Sequence, residues 1–169
     1  MKIIIELPTW LGDAVMATSA IENLVTFFND SEITLIGSDI AIDALKNHPK
    51  VVKTYILEKN VFNLYKALRS FGEFDVFFSF RGSIRSKFTK FCISSASKFQ
   101  YDKNKYNEDH QVEKYNNFIN KSLNITTVAS NLLIHNSFKK NKDKKNKVLG
   151  INPGASYGNA KRWYPENFA

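Results

Sequence analysis

Short β-branched apolar runs alternating with stretches of helical periodicity predict an α/β fold: a parallel sheet with helices packed on both faces. Three observations carry that expectation. IIIEL, Ile3 to Leu7, is a continuous apolar run of strand length. Ile21, Leu24, Val25 and Phe28 then recur at i, i+3, i+4 and i+7, the stripe of a helix lying on a sheet. ITLIG, Ile33 to Gly37, opens the pattern again as a second strand.

The remaining elements follow in order. A short helix over Ile40 to Leu45 ends near His48-Pro49, because the residue before a proline is driven out of the helical region. Strands are expected at Val51 to Ile56 and Phe74 to Phe78, separated by a helix carrying Phe62, Tyr65, Leu68 and Phe71. Ile84, Phe88, Phe91 and Cys92 mark another helix, Lys98 to Tyr101 an edge strand, and Val112, Tyr115, Phe118 and Ile119 one more helix. Beyond a lysine-rich run, VLGIN (Val148 to Asn152) reads as a new strand, followed by a glycine-containing loop. A helix start is expected at Tyr164-Pro165-Glu166, where proline suits the first turn. A lone strand and one helical turn cannot form a domain. Either a second α/β domain continues beyond residue 169, or Val148 to Asn152 adds a last strand to the first sheet.

Composition bounds the class. The chain has 169 residues, 43% of them hydrophobic, with 14 Phe and 7 Tyr, enough to bury a core of ordinary domain size. Glu6 and Asp13 interrupt the N-terminal apolar stretch, so it does not read as a secretory signal. No run approaches the roughly 18 apolar residues of a membrane span, and a cytoplasmic location is expected. The single cysteine, Cys92, has no partner for an intrachain disulfide or a metal cluster and reads as a packing residue.

The formal charge of +8 is unevenly spread. Lys139 to Lys147, KKNKDKKNK, carries +5 and has the composition of a solvated linker. Arg81 to Lys105 carries +6 and is interleaved with Phe88, Phe91 and Phe99, so it belongs to folded structure and can face an anionic ligand. The rest of the chain is net acidic.

Ligands of open α/β sheets bind at the carboxyl ends of the strands, where helix N-termini present free N–H groups. Pro8 to Asp13 is such a loop. It matches neither the dinucleotide fingerprint nor the Walker A pattern, and Gly12 alone says little. Asp13 has two readings that pattern cannot separate: a helix N-cap, or a carboxylate that takes a proton from a substrate hydroxyl. A second stretch, NPGASYGNAKRWYPENF (Asn152 to Phe168), combines Gly154 and Gly158, the Ser156 hydroxyl, and Lys161 and Arg162 ahead of a helix start. Those are the parts of a diphosphate cradle. An ordinary βα loop with exposed cations is the alternative.

Together, LPTWLGDAVMATSAIENL and INPGASYGNAKRWYPENFA resemble the ADP-heptose:lipopolysaccharide heptosyltransferases, glycosyltransferase family 9. HQVEKY, His110 to Tyr115, is similar to a third stretch of that family. The W-L-G-D and A-K-R-W versions favour the branch that adds the second heptose over those that add the first or third.

The resemblance implies a GT-B arrangement of two Rossmann-like domains facing across a cleft. Residues 1–136 would be the acceptor-binding domain, 137–147 the interdomain linker, and 148–169 the first strand, phosphate loop and helix start of the ADP-heptose-binding domain. It implies inverting transfer of heptose from ADP-L-glycero-D-manno-heptose to the lipopolysaccharide inner core, with no cofactor and no required metal. Asp13 would be the general base and Lys161 the cation compensating the leaving diphosphate. Ser156, Gly154 and Arg162 would attend the same phosphates. Thr9, Trp10, Gly12, Arg81, Arg85 and His110 are the expected acceptor contacts. Such an acceptor sets the reaction at the inner face of the inner membrane, with peripheral contact there. A non-catalytic acceptor-binding remnant stays open as an alternative for this chain, and no motif supports nucleic-acid binding.

Overall fold

Ile3, Ile4 and Ile5 are all wholly buried, which a strand achieves only when it has neighbours on both sides and cover on both faces. The computed structural model, which describes residues 1–107, 110–136, 149–151, 154, 162 and 164–167, provides that setting. Five strands, β1 (Lys2–Glu6), β2 (Glu32–Gly37), β3 (Val51–Ile56), β4 (Glu73–Ser79) and β5 (Ser94–Gln100), form one sheet in the order β3-β2-β1-β4-β5. Every pairing is parallel, and β1 lies in the middle. This is the α/β, Rossmann-like parallel sheet that the alternating pattern predicts.

The helices are α1 (Leu11–Met16), α2 (Thr18–Phe27), α3 (Asp39–Leu45), α4 (Val61–Arg69), α5 (Ile84–Cys92) and α6 (Gln111–Leu123). Strand alternation sorts them onto two faces. Ile3, Ile5, Leu35 and Phe78 point into the larger core with Ala14, Ile21 and Leu24 of α1 and α2, Ile42 of α3, and Tyr115 and Phe118 of α6. Ile4, Ile36 and Phe77 point the other way, against Leu64 and Leu68 of α4 and Cys92 of α5. Cys92 is thus a buried packing residue, as expected.

Helix starts follow side-chain chemistry. Ser38, Asn60, Ser83 and His110 each accept a hydrogen bond from a backbone N–H in the first turn of α3, α4, α5 and α6. α6 ends on Asn124, held at φ 54 in the left-handed region that asparagine tolerates. After α6 an extended strap crosses α2. Asn23 Nδ2 donates to Thr127 Oγ1 and the Val128 carbonyl, Ser130 N donates to Ser19 Oγ, and Leu133 N donates to Thr18 Oγ1.

The chain divides into two units, Met1–Ser137, which holds the sheet, and Phe138–Ala169. In the second unit Pro165–Asn167 forms a single 3-10 turn at the expected helix start. Of the expected strand Val148 to Asn152, residues 149–151 are described and carry no strand, while 148 and 152 lie outside the described residues. Among the described residues the sheet gains no sixth strand.

Candidate functional site

From β1 the chain winds through β2 to β3, then returns across the sheet to β4 and β5, so the topological switch falls between β1 and β4. The loops after these two strands leave toward opposite faces, which opens a crevice at their carboxyl ends where α/β sheets take ligands. Pro8 to Trp10 forms one lip and Phe80 to Ser83 the other.

Glu6 ends β1 at the base of this crevice with no exposed surface. Its Oε2 accepts from Ser86 Oγ at 2.6 Å and from Ser79 Oγ at 2.7 Å, and Arg81 Nη1 lies 3.5 Å from Oε1. Gln100 Nε2 donates to Ser86 Oγ and to the Arg81 carbonyl, each at 3.1 Å. Burial pushes the Glu6 carboxyl above its ordinary 4.5, opposed by the two hydroxyls and by the charges of Arg81 and Arg85. The network ties the last residues of β1, β4 and β5 to α5 and fixes the backbone that carries Arg81. Sequence reading missed it, although a glutamate inside a run of buried isoleucines was its signal.

The structure corrects the N-cap reading of Asp13. Trp10 occupies the cap position without capping the helix through its side chain, and Asp13 is the third residue of α1. An acidic group there still favours the helix through the dipole. Its carboxylate is half-buried, and among the described residues it makes no hydrogen bond or ion pair. Its charge reaches Tyr115 on α6, whose hydroxyl is held well above its ordinary value of 10, first by burial and next by Asp13. Asp13 thus lies within electrostatic reach of a Tyr115 hydroxyl that burial keeps protonated.

Around it, Thr9 O accepts from Ser38 Oγ at 2.8 Å, which ties the lip to the start of α3. Trp10 is mostly exposed, and a Cβ built on Gly12 would meet nothing within 4 Å. Open space over a helical glycine leaves room for another molecule to approach the backbone.

Beside the β4 lip, the ends of β4 and β5 border a recess of about 670 Å³ lined by Lys87, Lys90, Lys103, Lys105, Gln100 and Asp102. Its cation excess suits an anionic ligand. Two expected contacts are otherwise engaged. Arg85 donates to the Lys59 and Glu58 carbonyls ahead of α4. His110 Nδ1 accepts from Val112 N at 3.3 Å as the cap of α6. Ser156 and Lys161 lie outside the described residues; Gly154 and Arg162 are described and exposed.

One group among the described residues has metal-ligand spacing: Glu22, His48 and His135, with donor atoms within 4.8 Å of one another. His48 Nδ1 accepts from Lys50 N, which puts the ring proton on Nε2, 3.3 Å from Glu22 Oε1. His135 Nε2 reaches the same oxygen at 3.0 Å. The trio is thus a hydrogen-bonded clasp that holds the strap against α2 and the turn after α3.

No protein-family profile matches the chain. It is 38% identical over 177 residues to the lipooligosaccharide heptosyltransferase 2 of Campylobacter jejuni serotype O:2, covering 100% of this chain and 54% of that protein. The serotype O:6 protein of the same name is also 38% identical, with 55% of its length covered. The chain thus spans about half the length of these curated relatives. Among solved structures, E. coli ADP-heptose LPS heptosyltransferase II superposes with a TM-score of 0.73 at 18% identity, over 97% of this chain and 58% of that one. The E. coli heptosyltransferase WaaC with ADP gives 0.61 at 14% identity, over 77% and 50%. A family 9 glycosyl transferase from Veillonella parvula gives 0.65 at 16%, over 79% and 44%. Along its full length, then, this chain is similar to about half of a heptosyltransferase, and its sheet has the fold of the solved ones.

Proposed function

We propose that residues 1–136 form the acceptor side of an inverting heptosyltransferase, which moves heptose from ADP-L-glycero-D-manno-heptose to the lipopolysaccharide inner core, as the second heptose. The observation that supports this most is Asp13, a half-buried carboxylate without a hydrogen bond or ion pair among the described residues, on the rim of the β1/β4 crevice. As general base it takes the proton of the acceptor hydroxyl while that oxygen attacks the anomeric carbon and ADP leaves from the opposite face. Arg81 and the lysine-lined recess bind the acidic groups of the acceptor, and Thr9, Trp10 and Gly12 border its path.

On this reading residues 137–147 are a linker and 148–169 open the ADP-heptose side. There Lys161 compensates the charge that develops on the diphosphate, with Ser156, Gly154 and Arg162 beside it, and no metal ion is required. The reaction runs at the inner face of the inner membrane.

The test is heptose transfer from ADP-heptose to an inner-core acceptor by the protein that carries this chain. Asp13→Asn is expected to lower kcat by about 100-fold or more with little change in acceptor KM. Lys161→Ala is expected to weaken both donor binding and rate. Unchanged turnover in Asp13→Asn refutes the general-base assignment. Because the chain spans about half of its curated relatives, acceptor binding without turnover is the second reading. Calorimetric titration of this chain with the acceptor alone distinguishes it.

A further inference from the structure

Helix α4 buries Leu64 and Leu68, and helix α5 buries Ser86, Thr89 and Cys92. That phase turns large apolar groups outward. Phe62 is 73% exposed, Ile84 86% and Phe91 80%, with Val61 and Tyr65 also exposed. On α5, Ile84, Lys87 and Phe91 are spaced i, i+3 and i+7, one continuous stripe along the outer surface. Buried aromatics were the expectation for α4, yet Phe62 and Tyr65 face out.

The two helices lie side by side on one face of the sheet. Arg85, near the start of α5, donates to the Glu58 and Lys59 carbonyls just ahead of α4. At the other end, the charge of Arg69 acts on Cys92. Their outer surface adds Lys66 and Arg69 to the apolar groups, with Lys87 and Lys90 on the flank that also lines the recess beside β5, and neither helix contains Asp or Glu. Glu58, in the loop before α4, is the neighbouring acid.

We infer that this face of α4 and α5 is a membrane-contact surface, setting its phenylalanines and isoleucine into the headgroup boundary while its cations engage anionic lipid. Two arguments select this occupant. Amphipathic helices with aromatic and aliphatic side chains flanked by lysine and arginine bind at anionic bilayer interfaces. A second copy of the chain does not suit the face, because a two-fold interface must be self-complementary and four cations without acids oppose one another. Among the described residues no helix is long and apolar enough to cross a membrane, and the contact inferred is one of surface docking. The inference rests on the reading that sets the reaction at a membrane, and it names the surface that contacts it.

The experiment is flotation of the chain with vesicles of phosphatidylcholine alone and of phosphatidylcholine mixed with phosphatidylglycerol. Binding is expected with the anionic vesicles and is weakened by salt. Ile84→Ser with Phe91→Ser, and separately Lys66→Glu with Lys87→Glu, should each cut partitioning by about 10-fold or more. Phe27→Ser, an exposed apolar residue on α2, should leave it unchanged. All these positions are exposed, and thermal unfolding checks that each variant is folded. The inference fails if the chain ignores anionic vesicles, or if the α4 and α5 variants float like the parent. It also fails if those variants abolish a concentration-dependent dimer instead, which would assign the face to a second copy. Flotation does not depend on heptose transfer, so loss of the transfer reading leaves this result standing.

Discussion

Replacing Glu6 tests the buried network through the pH dependence of stability. Glu6→Ala removes the acceptor of two short hydroxyl bonds, at 2.6 and 2.7 Å, from a fully buried position. Hydrogen bonds to such a group contribute about 1.5–3 kcal/mol each, offset by the desolvation it no longer suffers, so a net loss of about 2–3 kcal/mol is expected at pH 7. Burial raises the folded-state pKa above the ordinary 4.5, so the folded chain holds this proton longer than the unfolded chain does. The stabilisation linked to that proton is complete below pH 4.5 and is lost as pH rises through the raised folded value.

The stability gap between parent and Glu6→Ala should therefore narrow with rising pH from 4.5, by about 1.4 kcal/mol for each unit of elevation. Urea unfolding across a pH series measures it. Glu6→Gln keeps the shape and abolishes the titration, so its curve should run parallel to that of Glu6→Ala. A gap that widens with pH would mean that Arg81 and the serines outweigh burial, and it would refute the reasoning.

Further expectations concern single positions. Gly12→Ala should stabilise α1 by up to about 1 kcal/mol in chemical denaturation, since nothing lies within 4 Å of the new Cβ, while weakening acceptor binding in a titration. Burial chiefly lowers the His48 pKa, against Glu22 and reinforced by His135 and Lys50, so stability falls as pH drops below 6.5 through the depressed folded value. His48→Gln should flatten that limb of the pH profile. Asn124→Val should cost about 1–2 kcal/mol at its φ of 54, whereas Asn124→Gly retains stability, as thermal melts would show. Phe118→Ala should cost about 3–5 kcal/mol by the same measurement, since its ring meets Phe78 and Phe80 edge-on in the larger core.

Strands β1 to β4 were legible as short apolar runs between breakers, whereas β5 begins at Ser94, four residues before the expected Lys98, because Ser94 to Ser97 carries no apolar run. Val51–Ile56 appears with its expected bounds, and β1, β2 and β4 differ from expectation by one or two residues. Of the two readings open for Asp13, the cap reading fails because the visible stripe begins only at Ile21. The buried phase starts earlier, on Ala14 and Ala17, small residues that contribute little to a hydrophobic pattern. Phe62 and Tyr65 misled for the opposite reason, since large apolar groups read as core wherever they lie. Ser79 and Ser86 were silent, because a serine gains meaning only when another strand brings a carboxyl to it. Lys161 and Ser156 were singled out by motif and lie outside the described residues.

The partners of Glu6 arrive late in the chain. Ser79 follows it by 73 residues and Ser86 by 80. During synthesis β1 can pair with β2 as soon as Gly37 is available, which leaves the edge that will meet β4 open. That open edge holds three isoleucines between Lys2 and the Glu6 carboxyl. A charge on a waiting edge discourages pairing with the wrong strand or another nascent chain. The carboxyl meets its two hydroxyl partners only once β4 and α5 have joined β1, so its burial is matched by hydrogen bonds only in the completed strand order.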